Sequence, residues 1–253
     1  AMAKKAKDIR ANKPEEPFIR ALTEQPGKVP TTHVFFRGNH DQPKDAVNPA
    51  GLSVVSANPI PKNVDALPST GRRTAFAQNL TDGKHPLTAR VLVNRFWLHH
   101  FGRGIVDTPG DFGRLGELPS HSELLDWLAS DFMKHGWKLK RLHKLIMTSH
   151  AYRQVSRRSA KQDKIDPDNR LLGRMNIRRM EAEMIRDAIL SLSGQINLKL
   201  GGKPIPVMED EVGQFVIGKE NLDGERKPGK SVDLKGEQHR RSLYVQVRRS
   251  RKL

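Results

Sequence analysis

Cysteine is absent from this 253-residue chain. The chain therefore contains no disulfide, no thiolate zinc site, no iron–sulfur cluster held by thiolates and no covalently attached c-type haem. A chain without cysteine is compatible with an oxidising or a reducing compartment, so this absence does not fix the location. We expect no cofactor in this chain.

Long apolar runs are also missing. No stretch approaches the roughly eighteen apolar residues that a spanning helix needs. The N-terminal AMAKKAKDIRANKPEEP has basic residues but no apolar segment behind them. The sequence therefore predicts neither a membrane span nor a secretory signal peptide.

Hydrophobic residues make up only 36% of the chain and aromatic residues 6%. The mean hydropathy is −0.64. A chain of this length can still bury a core. We expect a folded centre with less well packed ends, because segments of low hydrophobicity gain little from folding.

Positive charge is the property that the sequence has in excess. It contains 45 lysines and arginines against 28 acidic residues, which gives a formal net charge of +17. Such a balance indicates an anionic partner, which can be nucleic acid, an acidic membrane face or an acidic polysaccharide.

The composition divides the chain near residue 85. We predict that residues 1–84 form an irregular arm that packs on the core, with short strands at Thr31–Phe36 and Leu52–Val55. A disordered linker is the alternative. Residues 85–253 are predicted to form a helical core domain with a loop-rich C-terminal part. The arm is assigned on its prolines, which interrupt regular structure: Pro26, Pro30, Pro43, Pro49, Pro59, Pro61 and Pro68.

Helical periodicity predicts a mainly α fold with minor β structure. A capping box of Ser120 and Glu123 is expected to begin the second helix. Ser242–Val247 has the composition of a strand. The four principal helices are predicted over Pro86–Phe101, Ser120–Gly136, Lys138–Tyr152 and Ile177–Ser193. The last of them is expected to bury Met180, Met184, Ile185, Ala188 and Leu192.

A basic run without any acidic residue extends from Lys134 to Lys161. It predicts an anion-binding face, and the alternatives are a solvated helix face or one matched by acidic residues of another domain. Nucleic acid is disfavoured, because after Trp137 the run contains only Tyr152 as an aromatic residue and nucleic-acid modules usually add stacking residues. The residues of the predicted face are Lys140, Arg141, Lys144, Arg153, Arg157 and Arg158.

Polar residues also interrupt the most apolar helix, at Arg90, Asn94 and Arg95. A buried guanidinium must be paired, so we predict an ion-pair network that pins the Gly102–Ser120 connector to the core. The alternative is an active cleft in which Arg90 or Arg95 binds an anionic substrate. Asp111 or Glu183 would then act as acid or base. The carboxylates available to the network are those of Asp107, Asp111, Glu181, Glu183 and Asp187.

Two histidine-containing motifs do not predict a metal site. The RGNHD of residues 37–41 matches one motif of metallophosphoesterases, whose two-metal centre also needs D-x-H and GDxxD motifs before it; neither precedes it here. His99 and His100 are adjacent on a helix and point about 100° apart. We predict a turn at the first motif and no metal at either.

Five segments together resemble the domain-of-unknown-function 1553 family, a planctomycete-type domain of large secreted bacterial proteins. No reaction is assigned to this domain. The resemblance implies a periplasmic, cell-surface or secreted location and, in the parent protein, a cytochrome c module. Ser122 departs from the proline usual in the family. The segments are HPLTARVLVNRFWLHHFGRGIV, DTPGDFGRLGELPSHSELLDWLA, GWKLKRLHKLIMTSHAYRQVS, DPDNRLLGRMNIRRMEAEMIRDAIL and RRSLYVQVRR.

The resemblance has two further consequences for the extent of the domain. THVFFRGNHDQPKDAVNPAG resembles the opening of the family's domain, and the family's domain normally continues beyond Arg249. We therefore expect the sequence to be part of a longer domain.

These observations favour a helical scaffold or interaction module of a larger exported protein. Its basic face would contact an acidic protein domain or an anionic polysaccharide. One alternative is an enzyme acting on an acidic or sulfated polysaccharide, with its site at the Gly102–Ser120 connector. The other is a nucleic-acid-binding domain.

Overall fold

The computed structural model describes residues 21–24, 28–29, 31–55, 58–62, 69–210, 212–220 and 230–247. These residues fall into two compact units, with the boundary between Asn176 and Ile177. The fold is mainly α with minor β structure, which confirms the predicted class. The predicted boundary near residue 85 separates an arm from the core on which it packs. It is a different division and stays a prediction.

Helices form most of the first unit, and short antiparallel pairs of strands complete both units. In the first unit β1 pairs with β2, and in the second β3 pairs with β4 and β5 with β6. The helices are α1 (Arg72–Thr81), α2 (Thr88–Phe101), α3 (Ser122–Lys134), α4 (Leu139–Met147), α5 (Ala160–Ile165) and α6 (Ala182–Leu192). The strands are β1 (Thr32–Phe35), β2 (Pro43–Val47), β3 (Val207–Glu209), β4 (Phe215–Ile217), β5 (Lys219–Glu220) and β6 (Lys230–Ser231).

The core of the first unit lies around α2. Because Val93, Trp97 and Phe101 recur at helical spacing, one stripe of α2 is buried against α3 and α4. Trp97 stacks on Phe101 with ring centroids 4.2 Å apart. The helix ends where the sequence predicts, because Gly102 takes the left-handed conformation at φ 80° and its N–H reaches the Leu98 carbonyl. The buried cluster is completed by Ile105, Val106, Leu125, Leu128, Phe132, Leu142 and Ile146.

The predicted start of α3 is wrong. The helix begins at Ser122 with His121 as its N-cap residue, and no side chain caps it. Ser120 does not form the capping box, because its N–H and its hydroxyl both donate to the carbonyl of Ile105, at 2.9 and 3.2 Å. The serine therefore fixes the end of the connector instead of starting the helix.

The predicted third helix is shorter than expected, because α4 ends at Met147 rather than near Tyr152. The hydroxyl of Thr148 donates to the Lys144 carbonyl at 2.8 Å, and that of Ser149 donates to the Ile146 carbonyl at 2.6 Å. Such local side-chain bonds compete with helical pairing and favour a turn.

The predicted fourth helix starts late and does not bury the expected residues. It begins at Ala182, so Met180 precedes it, and Met184, Ile185 and Leu192 are exposed. Ala188 is exposed as well. The reason is that polar residues of α6 make its contacts within the second unit. Arg186 donates to the Arg240 carbonyl and the Ser242 hydroxyl, and Asp187 accepts the Ser242 N–H, at 2.7 to 2.9 Å.

Strand predictions hold in part. β1 forms within Thr31–Phe36, whereas Leu52–Val55 adopts turns. Ser242–Tyr244 is a 3-10 turn, so the predicted strand is wrong there; beyond it Val245 bridges Ile205. A further helix, α1, lies within the predicted arm and was not expected. Residues 1–20 of that arm lie outside the described residues.

Arg240 organises the second unit. Its side chain is 1% exposed, and its guanidinium donates to Glu237 at 2.9 Å and to backbone carbonyls of the preceding loop. The guanidinium also lies 3.8 Å from the centroid of the Tyr244 ring. The arginine therefore joins the loop to the C-terminal segment of the unit. The carbonyls that accept its N–H groups are those of Lys199, Gly201 and Lys203.

Replacement of Arg240 by methionine is expected to destabilise the second unit by about 3 kcal/mol or more, because it removes the buried guanidinium that joins the loop carbonyls and takes from Glu237 one of its two cationic partners. Hydrogen exchange of the bridging amides of Ile205 and Gln246 would then accelerate about a hundredfold. The neighbouring Arg241→Met is the control, since Arg241 is half-exposed and only approaches Asp187 at 3.7 Å. Equal acceleration in both variants would contradict this role for Arg240.

Candidate functional site

The connector between α2 and α3 is held to the core by a single amide side chain. Asn94, which is 0% exposed, donates from Nδ2 to the Val106 carbonyl and accepts the Val106 N–H at Oδ1, both at 2.9 Å. Val106 is itself buried. One side chain thus satisfies both backbone polar groups of a residue that water does not reach.

Two glycines of the connector are required by close approach. A Cβ added at Gly104 would lie 2.3 Å from the Val106 carbonyl oxygen, and one added at Gly116 would lie 2.2 Å from that of Asp111. These distances leave no room for any other residue. The connector therefore has a specific conformation that depends on these two glycines.

Thr108 organises the outer part of the connector. Its hydroxyl donates to the Asp111 carbonyl at 2.8 Å and accepts the Glu117 N–H at 3.0 Å. The Asp111 carboxylate accepts the Gly113 N–H at 2.8 Å. The glycine-rich segment therefore folds back on itself through hydrogen bonds between its side chains and its backbone.

The predicted ion-pair network has different members. Arg90 pairs with Asp126 of α3, with Nε and Oδ1 2.6 Å apart, and Asp107 pairs with Arg103 inside the connector, also at 2.6 Å. The hydrogen bond from Arg90 holds the pKa of Asp126 below its usual value. Among the described residues the connector is held to the core by the neutral amide of Asn94 and not by the predicted ion pairs.

Three of the four residues predicted for an active cleft lie on exposed parts of the molecule. Arg95 is exposed on α2, and the Asp111 carboxylate serves the connector turn. Glu183 is exposed in the first turn of α6, which belongs to the second unit. A catalytic role for Arg95, Asp111 or Glu183 stays a prediction.

A narrow cleft does lie beside the connector, with other residues in its wall. It encloses about 370 Å³, including space open to solvent. Ser120 Oγ lies 3.0 Å from His121 Nδ1 at its edge. Sequence reasoning expected a site at the connector but missed the residues of the opposite wall, because they come from a segment that is distant along the chain. The polar residues that line it are Arg103, Asp107, Ser120, His121, Asn169, Arg170 and Asn176.

Asn169 positions one wall of that cleft. It is buried at a left-handed φ of 52°, where asparagine is favoured among non-glycine residues. Its side chain donates to the Arg174 carbonyl at 2.8 Å and to Asn176 Oδ1 at 2.7 Å. Asn176 in turn donates to the Phe101 carbonyl at the end of α2. The asparagines of DPDNRLLGRMN are the sequence signal that could have indicated this wall, and no prediction was based on them.

The predicted anion-binding residues separate into two groups. Arg141 makes a two-pronged contact with Asp131 of α3, and Arg158 donates from Nε to Asp163 at 3.0 Å. Each arginine holds the pKa of its carboxyl partner below the usual value through these hydrogen bonds. Both arginines are thus neutralised within the first unit.

The other four cations lie at the surface. We call Lys140, Lys144, Arg153 and Arg157 the basic face. All four are exposed, and within the part of the chain that the structure describes none has an acidic partner within 4.0 Å. Lys140 and Lys144 are four residues apart, so they share one side of α4.

Among the described residues, no three or more histidine, aspartate or glutamate side chains are grouped so that they could hold a metal ion. The RGNHD segment forms a 3-10 turn at Phe36–Gly38, in which Arg37 has φ 48°, and Asn39 Oδ1 accepts the Asp41 N–H at 3.0 Å. This turn is the structure predicted for it. Among the described helices, none is long and apolar enough to cross a membrane.

Fold and site together define a helical, basic module in which Asn94 holds the connector between α2 and α3 to the core. Comparison with protein-family models gives a match over residues 72–253 to PSD1, described as a protein of unknown function (DUF1553). The chain belongs to this family, as the resemblance of its sequence blocks predicted. Residues 31–71, including the segment that resembles the family's opening, lie outside the matched range. Neither the curated proteins nor the solved structures gave a match.

Replacement of Asn94 by leucine is expected to lower the free energy of unfolding of the first unit by about 2 to 5 kcal/mol, because two buried backbone groups lose their partners. Tryptophan fluorescence during urea unfolding measures this unit alone, since Trp97, Trp127 and Trp137 all belong to it. Arg95→Ala, one residue further along α2 and exposed, should change stability by less than about 0.5 kcal/mol. A similar loss in both variants would show that the amide does not hold the connector.

Proposed function

We propose that this chain is a non-catalytic interaction module of a larger exported bacterial protein, and that its basic face binds an anionic partner. The observation that supports the proposal is that the cations of one acid-free run divide into two groups, of which only one is paired with carboxylates. Arg141 and Arg158 have carboxylates of their own, whereas the four residues of the basic face have none among the described residues. Exposed cations without internal partners are available to external anions.

An extended polyanion fits this face better than a single small anion. Each exposed ion pair contributes at most about 1 kcal/mol, so several must form together for useful affinity. Lys140 and Lys144 lie one turn apart on α4, and Arg153 and Arg157 follow it along the chain. A carboxylated or sulfated polysaccharide presents repeated charges of this kind. An acidic surface of a neighbouring protein domain would also present several charges together.

Nucleic acid is the less favoured polyanion because the aromatic residues of the run are engaged elsewhere. Trp137 meets the Phe132 ring edge-on, with centroids 5.3 Å apart. Tyr152 meets the rings of His100 and Phe101 at 5.5 and 5.7 Å. Both aromatic side chains pack against the core and are not free to stack on bases.

The family context belongs to the proposal as well. An exported location and a cytochrome c module elsewhere in the parent protein are what the sequence resemblance implies. A basic module in such a protein would hold it to an acidic matrix or to an acidic neighbouring domain. Haem chemistry would then belong to the cytochrome c module, since this chain has no cysteine for covalent attachment.

Replacement of the basic face by glutamines is expected to abolish retention on heparin at about physiological salt. The variant is Lys140→Gln, Lys144→Gln, Arg153→Gln and Arg157→Gln, and the measurement is elution from heparin and from immobilised duplex DNA across a salt series. We expect the wild type to elute later from heparin than from DNA. Loss of binding should leave the tryptophan fluorescence unchanged, because all four side chains are exposed.

A control variant with the same change in net charge tests whether heparin retention depends on this face or only on the total charge. Lys28, Lys84, Lys164 and Lys235 are exposed and lie outside the face. Their replacement by glutamine removes four charges and should leave most of the heparin retention. Equal loss in the two quadruple variants, or stronger retention of the wild type on DNA, would overturn the proposal.

An enzyme acting on an acidic polysaccharide is the second candidate, because the cleft beside the connector brings Arg103, Asp107 and His121 together where such a site was expected. The test is incubation of the chain with heparin, chondroitin sulfate and alginate, followed by chromatography of the products. A polysaccharide-cleaving enzyme should release oligosaccharides, and both Asp107→Asn and His121→Gln should reduce the rate at least about a hundredfold. If the wild type releases no fragments from these polymers, the cleft does not carry this activity.

A further inference from the structure

A groove lies at the open end of the hairpin formed by β1 and β2. Thr32 and Val47 are cross-strand partners there, so their side chains share one face of the pair. Thr31 precedes β1, Asn48 and Pro49 follow β2, and all five residues line the groove. It encloses about 790 Å³, including space open to solvent. This size falls within the roughly 300–1,000 Å³ that is usual for small-molecule sites.

Two cations complete the lining of this hairpin groove. They are Lys62 and Arg72, the first residue of α1. The Lys62 carbonyl accepts from Nε of Arg72 at 3.1 Å and from Nη2 at 2.9 Å. Both donors lie on one edge of the planar guanidinium, so the edge formed by Nη1 and Nη2 keeps its own N–H donors. The arginine is therefore fixed along one edge and can bind a carboxylate along the other.

Neither cation forms a salt bridge within the described part of the chain. The Glu24 carboxylate accepts the N–H of Thr70 at 2.6 Å and its hydroxyl at 2.8 Å. These hydrogen bonds, and with smaller effect the charges of Arg72 and Arg73, hold the pKa of Glu24 below its usual value. One carboxylate that already receives two hydrogen bonds thus faces two arginines. The charge balance at the start of α1 is positive.

Hydroxyl and amide groups form the rest of the polar lining. The side chains of Thr31, Thr32 and Asn48 make no hydrogen bond to another described residue. These groups both donate and accept, as the hydroxyls of a sugar do. The lining therefore combines positive charge, groups that match hydroxyls and apolar surface. The apolar surface comes from Val29, Val47 and Pro49.

We propose that the hairpin groove binds one sugar residue that carries a carboxylate, a uronic acid. Lys62 and Arg72 bind the carboxylate, the arginine through two parallel N–H···O bonds. The threonine hydroxyls and the Asn48 amide exchange hydrogen bonds with the sugar hydroxyls, and the apolar residues contact its C–H groups. The groove shares no residue with the basic face, so this proposal does not rest on what that face binds.

Glu24 also limits the charge that the ligand can carry. Its carboxylate lies at the start of α1 beside Arg72, where it repels a second negative charge more strongly than a first. A phosphate dianion is therefore disfavoured relative to a carboxylate. This expectation makes inorganic phosphate a useful comparison ligand.

Titration of the full chain with D-glucuronate, followed through the backbone amide signals by NMR, tests the proposal. The amides of Thr31, Thr32 and Asn48 should shift and saturate with a dissociation constant of about a millimolar, as expected for a ligand of this size, while those of α4 should not shift. D-glucose lacks the carboxylate, and cyclohexanecarboxylate lacks the hydroxyls. Each should bind at least about fivefold more weakly, and so should phosphate.

Three results of this titration would overturn the proposal. They are the absence of shifts at the groove up to about 50 mM glucuronate, shifts confined to α4, and binding of cyclohexanecarboxylate or phosphate as tightly as glucuronate. Failure of glucuronate to bind in the groove leaves heparin retention by the basic face unchanged, so the two proposals fail separately.

Lys62→Gln tests the role of charge in the groove. The Lys62 side chain is exposed, and Arg72 is held by its backbone carbonyl, so the variant keeps that contact. Glucuronate should bind about fivefold more weakly and glucose as before. Lys84→Gln removes one exposed charge outside the groove and should change neither affinity. Equal weakening of glucuronate binding by both variants would contradict the site.

Thr32→Val tests recognition of the sugar hydroxyls. Valine has nearly the shape of threonine and is favoured in strands, so β1 should be retained. The variant should bind glucuronate about fivefold more weakly and cyclohexanecarboxylate with unchanged affinity. Equal loss for the two ligands, or no loss for glucuronate, would show that the groove does not recognise hydroxyls.

Discussion

The structure of the first unit depends on one neutral side chain in its most apolar helix. Asn94 satisfies both backbone polar groups of Val106, so the chain can leave α2 at Gly102 and still bury Ile105 and Val106 in the core. A charged residue at this position would need a buried partner and would lose hydration in the core. The amide fixes the connector without that cost. The cleft beside the connector and the start of α3 follow from where the connector is held.

Much of the fold was predictable because local patterns and tertiary packing agree there. Helical spacing and Gly102 placed α2 correctly, and apolar periodicity placed α3 and most of α4. The predictions failed where a polar side chain had two possible partners. Ser120 had the pattern of a helix cap but bonds to Ile105 instead. On α6 the apolar stripe suggested burial, whereas Arg186 and Asp187 make the contacts within the second unit. A hydrophobic pattern gives a face, and only tertiary structure shows whether something covers it.

The candidate site was predictable in outline and not in detail. The absence of acids between Lys134 and Lys161 is visible in the sequence, and so is the unusual glycine content of the connector. Which cations remain available depends on carboxylates outside the run, since Asp131 and Asp163 neutralise Arg141 and Arg158. These features arise from the packing of α2, α3 and α4 against one another.

The salt dependence of heparin affinity tests the central claim, which is that the binding face is formed by four cations without a carboxylate partner among the described residues. Each cation engaged by a polyanion releases somewhat less than one counterion, so the logarithm of the association constant should fall with the logarithm of salt concentration at a slope of about −3 to −4. Calorimetric titration at several salt concentrations gives this slope directly. A slope near zero would contradict an electrostatic face, and one steeper than about −6 would show that the paired arginines or cations elsewhere bind as well.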